Sequence, residues 1–225
     1  MTVEQLAAKY PLLWHMADVR NTDGILQRGL LSTSALLDLL EIDRNERKRY
    51  ERERRPDDTV LESDEHGTIV LRDQRPLNIA RLEGALTSGT TRNFLAFINR
   101  RVFFWPTIER LKTMNGARAY QDRTQLVFVL RSAGLLAEYE PSIRLSRINS
   151  GATMPYAAPR SVATFQTLRE YDWSSGKRSV AEVTIESGVP DIWTFVERLE
   201  LWRNAEMISI LAPPYDDRLR NRMRV

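Results

Sequence analysis

"SVAEVTIESGVPDI", residues 179–192, is the stretch on which the fold turns. From Ser179 to Glu186 the side chains alternate. Ala181, Val183 and Ile185 point one way, and Val180, Glu182, Thr184 and Glu186 the other. A period of two predicts a strand. Gly188-Val189-Pro190-Asp191 then turns the chain, and Asp191 is placed to cap a following helix. Taken alone, Glu182 reads as a solvent-facing strand carboxylate.

The chain upstream mixes the two periods. "LLWHMADVRNTDGILQRGLLST", residues 12–33, predicts a short strand over Leu12–His15 and a helix over Asp23–Arg28, with Gly29 as its C-terminal stop. Thr33 or Ser34 is expected to cap a further helix with Leu36, Leu37, Leu39 and Leu40 on its apolar side. Glu41–Arg55 mixes seven basic with five acidic residues at helical spacing, which predicts a solvated helix with a Glu51–Arg55 pair at i,i+4. Thr59–Asp73 predicts a hairpin turning at Asp64–Gly67, with His66 in the turn.

Helices follow over Leu77–Leu86 and from a Thr90 or Thr91 cap to about Arg100. RVFFW, residues 101–105, is a β-prone run stopped by Pro106, after which Thr107–Met114 reads as helix. Gln125–Leu130 predicts a buried strand, Ser132–Tyr139 a helix and Ile143–Ile148 a strand. Residues 149–162, NSGATMPYAAPRSV, form an irregular loop; Thr164–Tyr171 is a strand or a helical turn; Ser174–Lys177 is a second loop. Short strands and scattered helices together predict an α+β fold with a largely antiparallel sheet.

A chain of 225 residues suggests one domain, 1–225, with a basic C-terminal tail from about 213 that carries Arg218, Arg220, Arg222 and Arg224. There is no cysteine, which excludes disulfides, thiolate metal sites and a cysteine nucleophile, and fits a reducing cytoplasm. The N-terminus lacks a basic region followed by an apolar run, so no signal peptide is expected. Apolar runs such as Leu126–Leu130 fall far short of the roughly 18 residues of a membrane span. The expectation is a soluble cytoplasmic protein with no membrane partner.

Net charge is +3, carried mostly by arginine. Between Thr91 and Arg123 stand Arg92, Arg100, Arg101, Arg110, Lys112, Arg118 and Arg123 against Glu109 and Asp122. Arginine suits bidentate phosphate binding, so nucleic acid is a natural partner class. HExxH, calcium-loop, GxxxxGK[ST], GxGxxG and GxSxG patterns are all missing, and no metal site is expected.

Three pieces in order resemble the DarT-like branch of the ADP-ribosyltransferases. The first is a strand with His15, then Asn21 six residues on, then Ile25, Leu26 and Gly29 of an Ile-Leu-x-x-Gly helix. The second is RVFFW with Pro106. The third is Ala181-Glu182-Val183-Thr184-Ile185 followed by Val189-Pro190, where that branch has its catalytic Glu. The resemblance spans roughly residues 10 to 195. Over the whole chain there is also a closer resemblance to an uncharacterised bacterial family, through VLRDQRP, RVFFW, INSGAT and GVPDI, which brings no activity with it.

The resemblance implies an ADP-ribosyltransferase-like fold, a mixed and largely antiparallel split sheet with peripheral helices. It implies NAD as substrate, nucleic acid (single-stranded DNA or RNA) as acceptor, and a toxin or defence role with an antitoxin or immunity partner. Breaking the nicotinamide–ribose bond passes through an oxocarbenium-like state, as in glycoside cleavage. Glu182 is the implied catalytic carboxylate, with Glu186 on the same face as the alternative. His15 and Asn21 are implied at the ribose or nicotinamide end. The branch's NAD-contacting Arg matches both Arg72 and Arg101, and Phe103 to Trp105 supply rings to sandwich nicotinamide. The branch's acceptor-reading loop is not recognisable in residues 170–178.

Two alternatives stand beside this reading. One is a non-catalytic nucleic-acid-binding or interaction module on the same fold. The other is an NAD-dependent RNA 2′-phosphotransferase, whose similar opening is present here but whose Arg-x-His-Val-His-Leu motif is missing.

Overall fold

The computed structural model describes residues 1–173 and 179–211. The loop at 174–177 and the basic tail from about 213 lie outside the described residues.

In chain order the elements are α1 (Val3–Lys9), β1 (Leu12–Asp18), α2 (Thr22–Arg28), β2 (Leu30–Leu31), α3 (Thr33–Leu39), α4 (Arg44–Arg52), β3 (Thr59–Ser63), β4 (Gly67–Leu71), α5 (Ile79–Ala85), α6 (Thr91–Asn99) and β5 (Arg101–Phe104). Then come α7 (Ile108–Asn115), β6 (Gln125–Arg131), α8 (Ser132–Glu138), β7 (Ile143–Ser146), β8 (Glu182–Glu186), β9 (Gly188–Val189), β10 (Val196–Arg203) and β11 (Glu206–Ile210). The protein is α+β, with antiparallel strand pairing and helices. They belong to two compact units interleaved along the sequence. The first takes Met1–Leu30, Phe104–Pro141 and the described residues from Val189 on; the second takes Leu31–Phe103 and Ser142–Gly188.

The first unit is built on a sheet of order β1-β6-β10-β11, paired antiparallel throughout. β6, QLVFVLR, is buried at every residue but Arg131, as a near-continuous apolar run requires when both sheet faces are covered. Trp14, Met16, Trp105, Leu111, Val127, Val129 and Trp202 form one core cluster in this unit. β1 continues past the expected end at His15 to Asp18, because Met16 and Ala17 stay buried and pair with Val127 and Leu126. Asp191 does not cap a helix: Ile192–Thr194 is a single 3-10 turn, and the Asp191 carboxylate accepts a hydrogen bond from the Tyr139 hydroxyl instead.

β10 and β11 are strands that the sequence reading did not predict. The register shift between Val196 and Arg198 breaks the alternation of VERLELWR. The connecting turn uses Asn204 and Ala205 at φ 51° and 62°, without the glycine that marks most such hairpins.

In the second unit, α3, α4 and the β3–β4 hairpin enclose Leu37, Tyr50, Ile69 and Leu71. The cap of α3 is Ser32, one residue before the expected Thr33; its hydroxyl accepts from the Ala35 amide at 3.2 Å. α4 ends at Arg52 and Glu53 is extended, so the expected Glu51–Arg55 pair does not form. Glu51 pairs with Arg47. Arg55 turns inward and donates to Tyr50 O at 2.6 Å, Arg72 O at 3.0 Å and Asn99 Oδ1 at 3.0 Å. Burial pushes its guanidinium down to about 10, against the opposing charge of Asp73.

α5 and α6 supply Leu82, Phe94, Leu95 and Ile98 to a second apolar cluster, completed by Leu77 before α5 and by Phe165. Thr164–Tyr171 is neither a full strand nor a helix: Val162–Thr164 is a 3-10 turn, and Gln166 makes an isolated bridge to Leu145. The second unit's sheet has the order β5-β8-β7. β8 is therefore the middle strand, and it is buried from Glu182 to Ile185. The expected alternation exists, but its polar face is covered too. Among the described residues no helix is long and apolar enough to cross a membrane.

Candidate functional site

Glu182 opens β8, opposite Ser146 at the end of β7. It is 4% exposed, which corrects the expectation of a solvent-facing carboxylate. A buried carboxylate needs donors close by. The chain supplies one at once: beyond β7 it enters the loop 149–162, and the Ser150 amide donates to both Glu182 oxygens, each at 3.1 Å. Ser150 is fully buried, and its hydroxyl has no hydrogen-bond partner among the described residues.

The loop is organised around a buried cation that the sequence reading missed. Arg160 is 2% exposed. Its Nη1 donates to Ser150 O at 2.8 Å, Ala152 O at 2.9 Å and, more weakly, Asn149 O at 3.5 Å. Its Nε donates to Ala158 O at 2.9 Å. Burial lowers the Arg160 pKa, and the charge of Glu182 opposes that shift. The loop is tied to its unit at both ends. Thr153 N donates to Pro76 O at 3.0 Å, and Asn78 N to Thr153 Oγ1 at 2.7 Å. Arg160 N donates to Ala85 O, and Thr87 N to Arg160 O, both at 2.9 Å.

Arg101, on β5, is drawn into the same unit's sheet. Nη1 donates to Thr184 Oγ1 at 3.3 Å and Ser142 O at 3.4 Å, and Nη2 to Glu186 Oε2 at 3.2 Å. The guanidinium lies 4.5 Å from the Phe97 ring centroid. Burial lowers its pKa, Glu186 opposes this, and Arg144 adds to it. Glu182, Thr184 and Glu186 thus share one strand face, with Arg101 spanning the latter two. Phe103 packs with the α5–α6 cluster, edge-on to Phe165 at 6.4 Å. Arg72 follows β4 half-buried, its carbonyl taken by Arg55.

The other expected residues belong to the first unit. His15 is half-buried in the middle of β1, with its ring 5.7 Å from Phe104 and 6.3 Å from Phe128. Trp193 lies against Phe128 at 5.8 Å and donates its Nε1–H to Leu26 O. Asn21 stands at the N-cap of α2, and its side chain does not cap the helix. Trp105 is not a cleft aromatic. It pairs with Trp14 through mutual backbone hydrogen bonds and is 9% exposed in the core cluster.

The seven expected residues therefore fall into two sets: Arg72, Arg101, Phe103 and Glu182 in the second unit, and His15, Asn21 and Trp105 in the first. Two further charged residues escaped sequence reasoning. Arg160 sits in a stretch without periodicity, so nothing local marks it. Glu200, 2% exposed in the first unit, accepts from Arg198 Nε at 2.6 Å and Trp202 Nε1 at 2.7 Å, and its strand was itself not predicted. Among the described residues no group of three or more His, Asp or Glu could hold a metal ion.

A model for a family of unknown function (DUF7002) matches residues 11–196, a span that takes in Ser150, Arg160 and Glu182. No curated protein and no solved structure matches the chain.

Proposed function

The chain belongs to DUF7002, a family of unknown function; from the resemblance of its His15, RVFFW and Glu182 stretches to the DarT-like enzymes, we propose that it is an NAD-dependent ADP-ribosyltransferase that modifies single-stranded nucleic acid, on an ADP-ribosyltransferase-like split-sheet fold. The observation that carries this reading is the buried Glu182 carboxylate on a middle strand, with both oxygens on the Ser150 amide and the Arg160 guanidinium in the loop beside it.

A strand and a backbone donor fix a carboxylate better than a mobile loop does. Such a group stabilises positive charge as it develops on the ribose, and a low-dielectric setting strengthens the effect. In the reaction the bond between ribose C1′ and nicotinamide breaks, and nicotinamide leaves with the bonding pair. A nucleophilic atom of a base then bonds to C1′ and gives up its proton. Glu182 accepts a hydrogen bond from the ribose 2′-OH and takes up that proton. Phe103, which is less buried than Trp105, is the ring offered to nicotinamide. The cation offered to the pyrophosphate in this reading is Arg72 or Arg101. A single-stranded acceptor presents its base without the cost of extruding it from a duplex.

The test is to incubate the purified protein with NAD and, separately, single-stranded DNA, RNA and cell-extract protein. Nicotinamide release is measured and the acceptor is weighed for an added ADP-ribose. The expected result is an adduct on nucleic acid that Glu182→Ala abolishes. Full activity in Glu182→Ala overturns the assignment.

The commitment of Arg101 and Trp105 to internal contacts favours a second reading, a nucleic-acid-binding module without turnover. It would bind single strands with salt-dependent affinity and release no nicotinamide.

A further inference from the structure

We propose that Arg160 is the positioning residue of this site: it sets the backbone at Ser150 so that the amide stays on the Glu182 carboxylate, and it does this without touching substrate. The proposal rests on the catalytic reading of Glu182.

The hydrogen bonds carry the argument. Every bond of the Arg160 guanidinium ends on a loop carbonyl, of Asn149, Ser150, Ala152 or Ala158, and none ends on Glu182. The Asn149 carbonyl and the Ser150 amide are two ends of one peptide group. The guanidinium meets that group on its carbonyl side at 3.5 Å, and Glu182 meets it on its N–H side at 3.1 Å. The next carbonyl, Ser150 O, takes the shorter bond at 2.8 Å. Both peptide planes around Ser150 are therefore set from a single charged fork. The loop has no helix or strand of its own here, and a buried backbone must find partners; the guanidinium supplies them.

Arg160 is itself anchored. Its amide and carbonyl bond to Ala85, the last residue of α5, and Thr87, just beyond it. The position of the Glu182 donor is thus referred to a segment about 70 residues away in sequence. The Ser150 side chain plays no part in this path, since its hydroxyl has no partner among the described residues. A lysine could not replace the arginine. It presents one ammonium in place of a planar fork and could not serve the Nε and Nη1 partners together.

The experiment uses the full chain, ¹⁵N-labelled, as wild type, Arg160→Lys, Arg160→Gln, Glu182→Gln and the double variant Arg160→Lys/Glu182→Gln. Tyr156→Ser, 88% exposed in the same loop, controls for a change in that loop. Hydrogen exchange at the Ser150 amide and steady-state NAD cleavage are both measured. In Arg160→Lys, exchange at Ser150 should rise about tenfold or more, and kcat should fall about 10–100-fold with KM for NAD within about threefold. Tyr156→Ser should match wild type. In the Glu182→Gln background the Arg160 change should cost little more, because the two residues act as one unit.

Unchanged Ser150 exchange, or a rise in KM alone, overturns the proposal; the latter would mean direct contact with NAD. Failure of both Arg160 variants to fold, while Glu182→Gln folds, also overturns it, since Arg160 would then serve stability alone. If the wild type releases no nicotinamide, the ADP-ribosyltransferase reading fails, and Ser150 exchange by itself decides whether Arg160 sets the Glu182 donor.

Discussion

Arg101 and Glu186 form an ion pair that joins β5 to β8, with Nη2 3.2 Å from Oε2. The two ends differ: the arginine side chain is 3% exposed and the glutamate 45%. Solvent at the glutamate screens the attraction, while the buried guanidinium would be costly to leave without a partner. Arg101→Ala removes a packed stem from against Phe97 as well as the Thr184 and Glu186 bonds, and should cost about 2–4 kcal/mol. Arg101→Met keeps the stem and should cost about half as much. Denaturant midpoints decide. Equal losses in the two variants would assign the effect to charge and not to packing.

Gly29 should be the least replaceable glycine of α2 and its exit. Its φ is +75°, and an added Cβ would lie 2.3 Å from the carbonyl oxygen of Pro190, a backbone atom that cannot swing away. Gly29→Ala is expected to cost about 3 kcal/mol or more, from left-handed strain and the clash together. Gly67, at φ +67° with nothing within 4 Å, provides the comparison: Gly67→Ala should show the strain alone and cost markedly less. Thermal midpoints of the two variants separate the contributions.

Trp105 belongs to a core cluster with Trp14 and Trp202. Trp105→Ala should cost about 3–5 kcal/mol. Trp105→Phe should cost less and leave KM for NAD unchanged. A large rise in KM in a stably folded Trp105→Phe would return this ring to the cofactor role that the sequence resemblance implied.

Acid stability should depend on Asp18. Burial works to raise its pKa, but hydrogen bonds and charge from Arg20, with Arg123 adding, outweigh burial and hold it below the usual value. A carboxylate depressed in the folded state stabilises above its unfolded pKa, and that stability is lost as pH falls through the folded pKa. Asp18→Asn should therefore be less stable than wild type near pH 7, with the difference closing as pH falls below the ordinary carboxylate range, about 4. Urea midpoints across that range would show it. A difference independent of pH would mean that Asp18 acts through shape and not charge.

Much of the fold was legible because its signals are local. The β3–β4 hairpin follows from its turn residues, α2 from its glycine stop, and β6 from an unbroken apolar run. The errors have physical causes. Ser32 caps α3 in place of Thr33 because a cap is set by backbone angles, and adjacent hydroxyl residues look alike on paper. Glu51 and Arg55 would pair on a longer helix, but α4 stops first and Arg55 finds carbonyls in the interior. β10 was hidden by a bulge, which shifts the alternation that would reveal a strand.

The sequence alone determined the α+β class, most element positions and the strand that carries Glu182, since these depend on side-chain period and on caps a few residues apart. Only the tertiary structure decided that both faces of β8 are covered. It alone placed the Ser150 amide on Glu182 across 32 residues of chain, wrapped the loop around Arg160, and engaged Arg101 with Glu186. Burial and partnership of this kind arise where distant segments meet, and an isolated carboxylate or arginine in a sequence carries no mark of which segment will cover it.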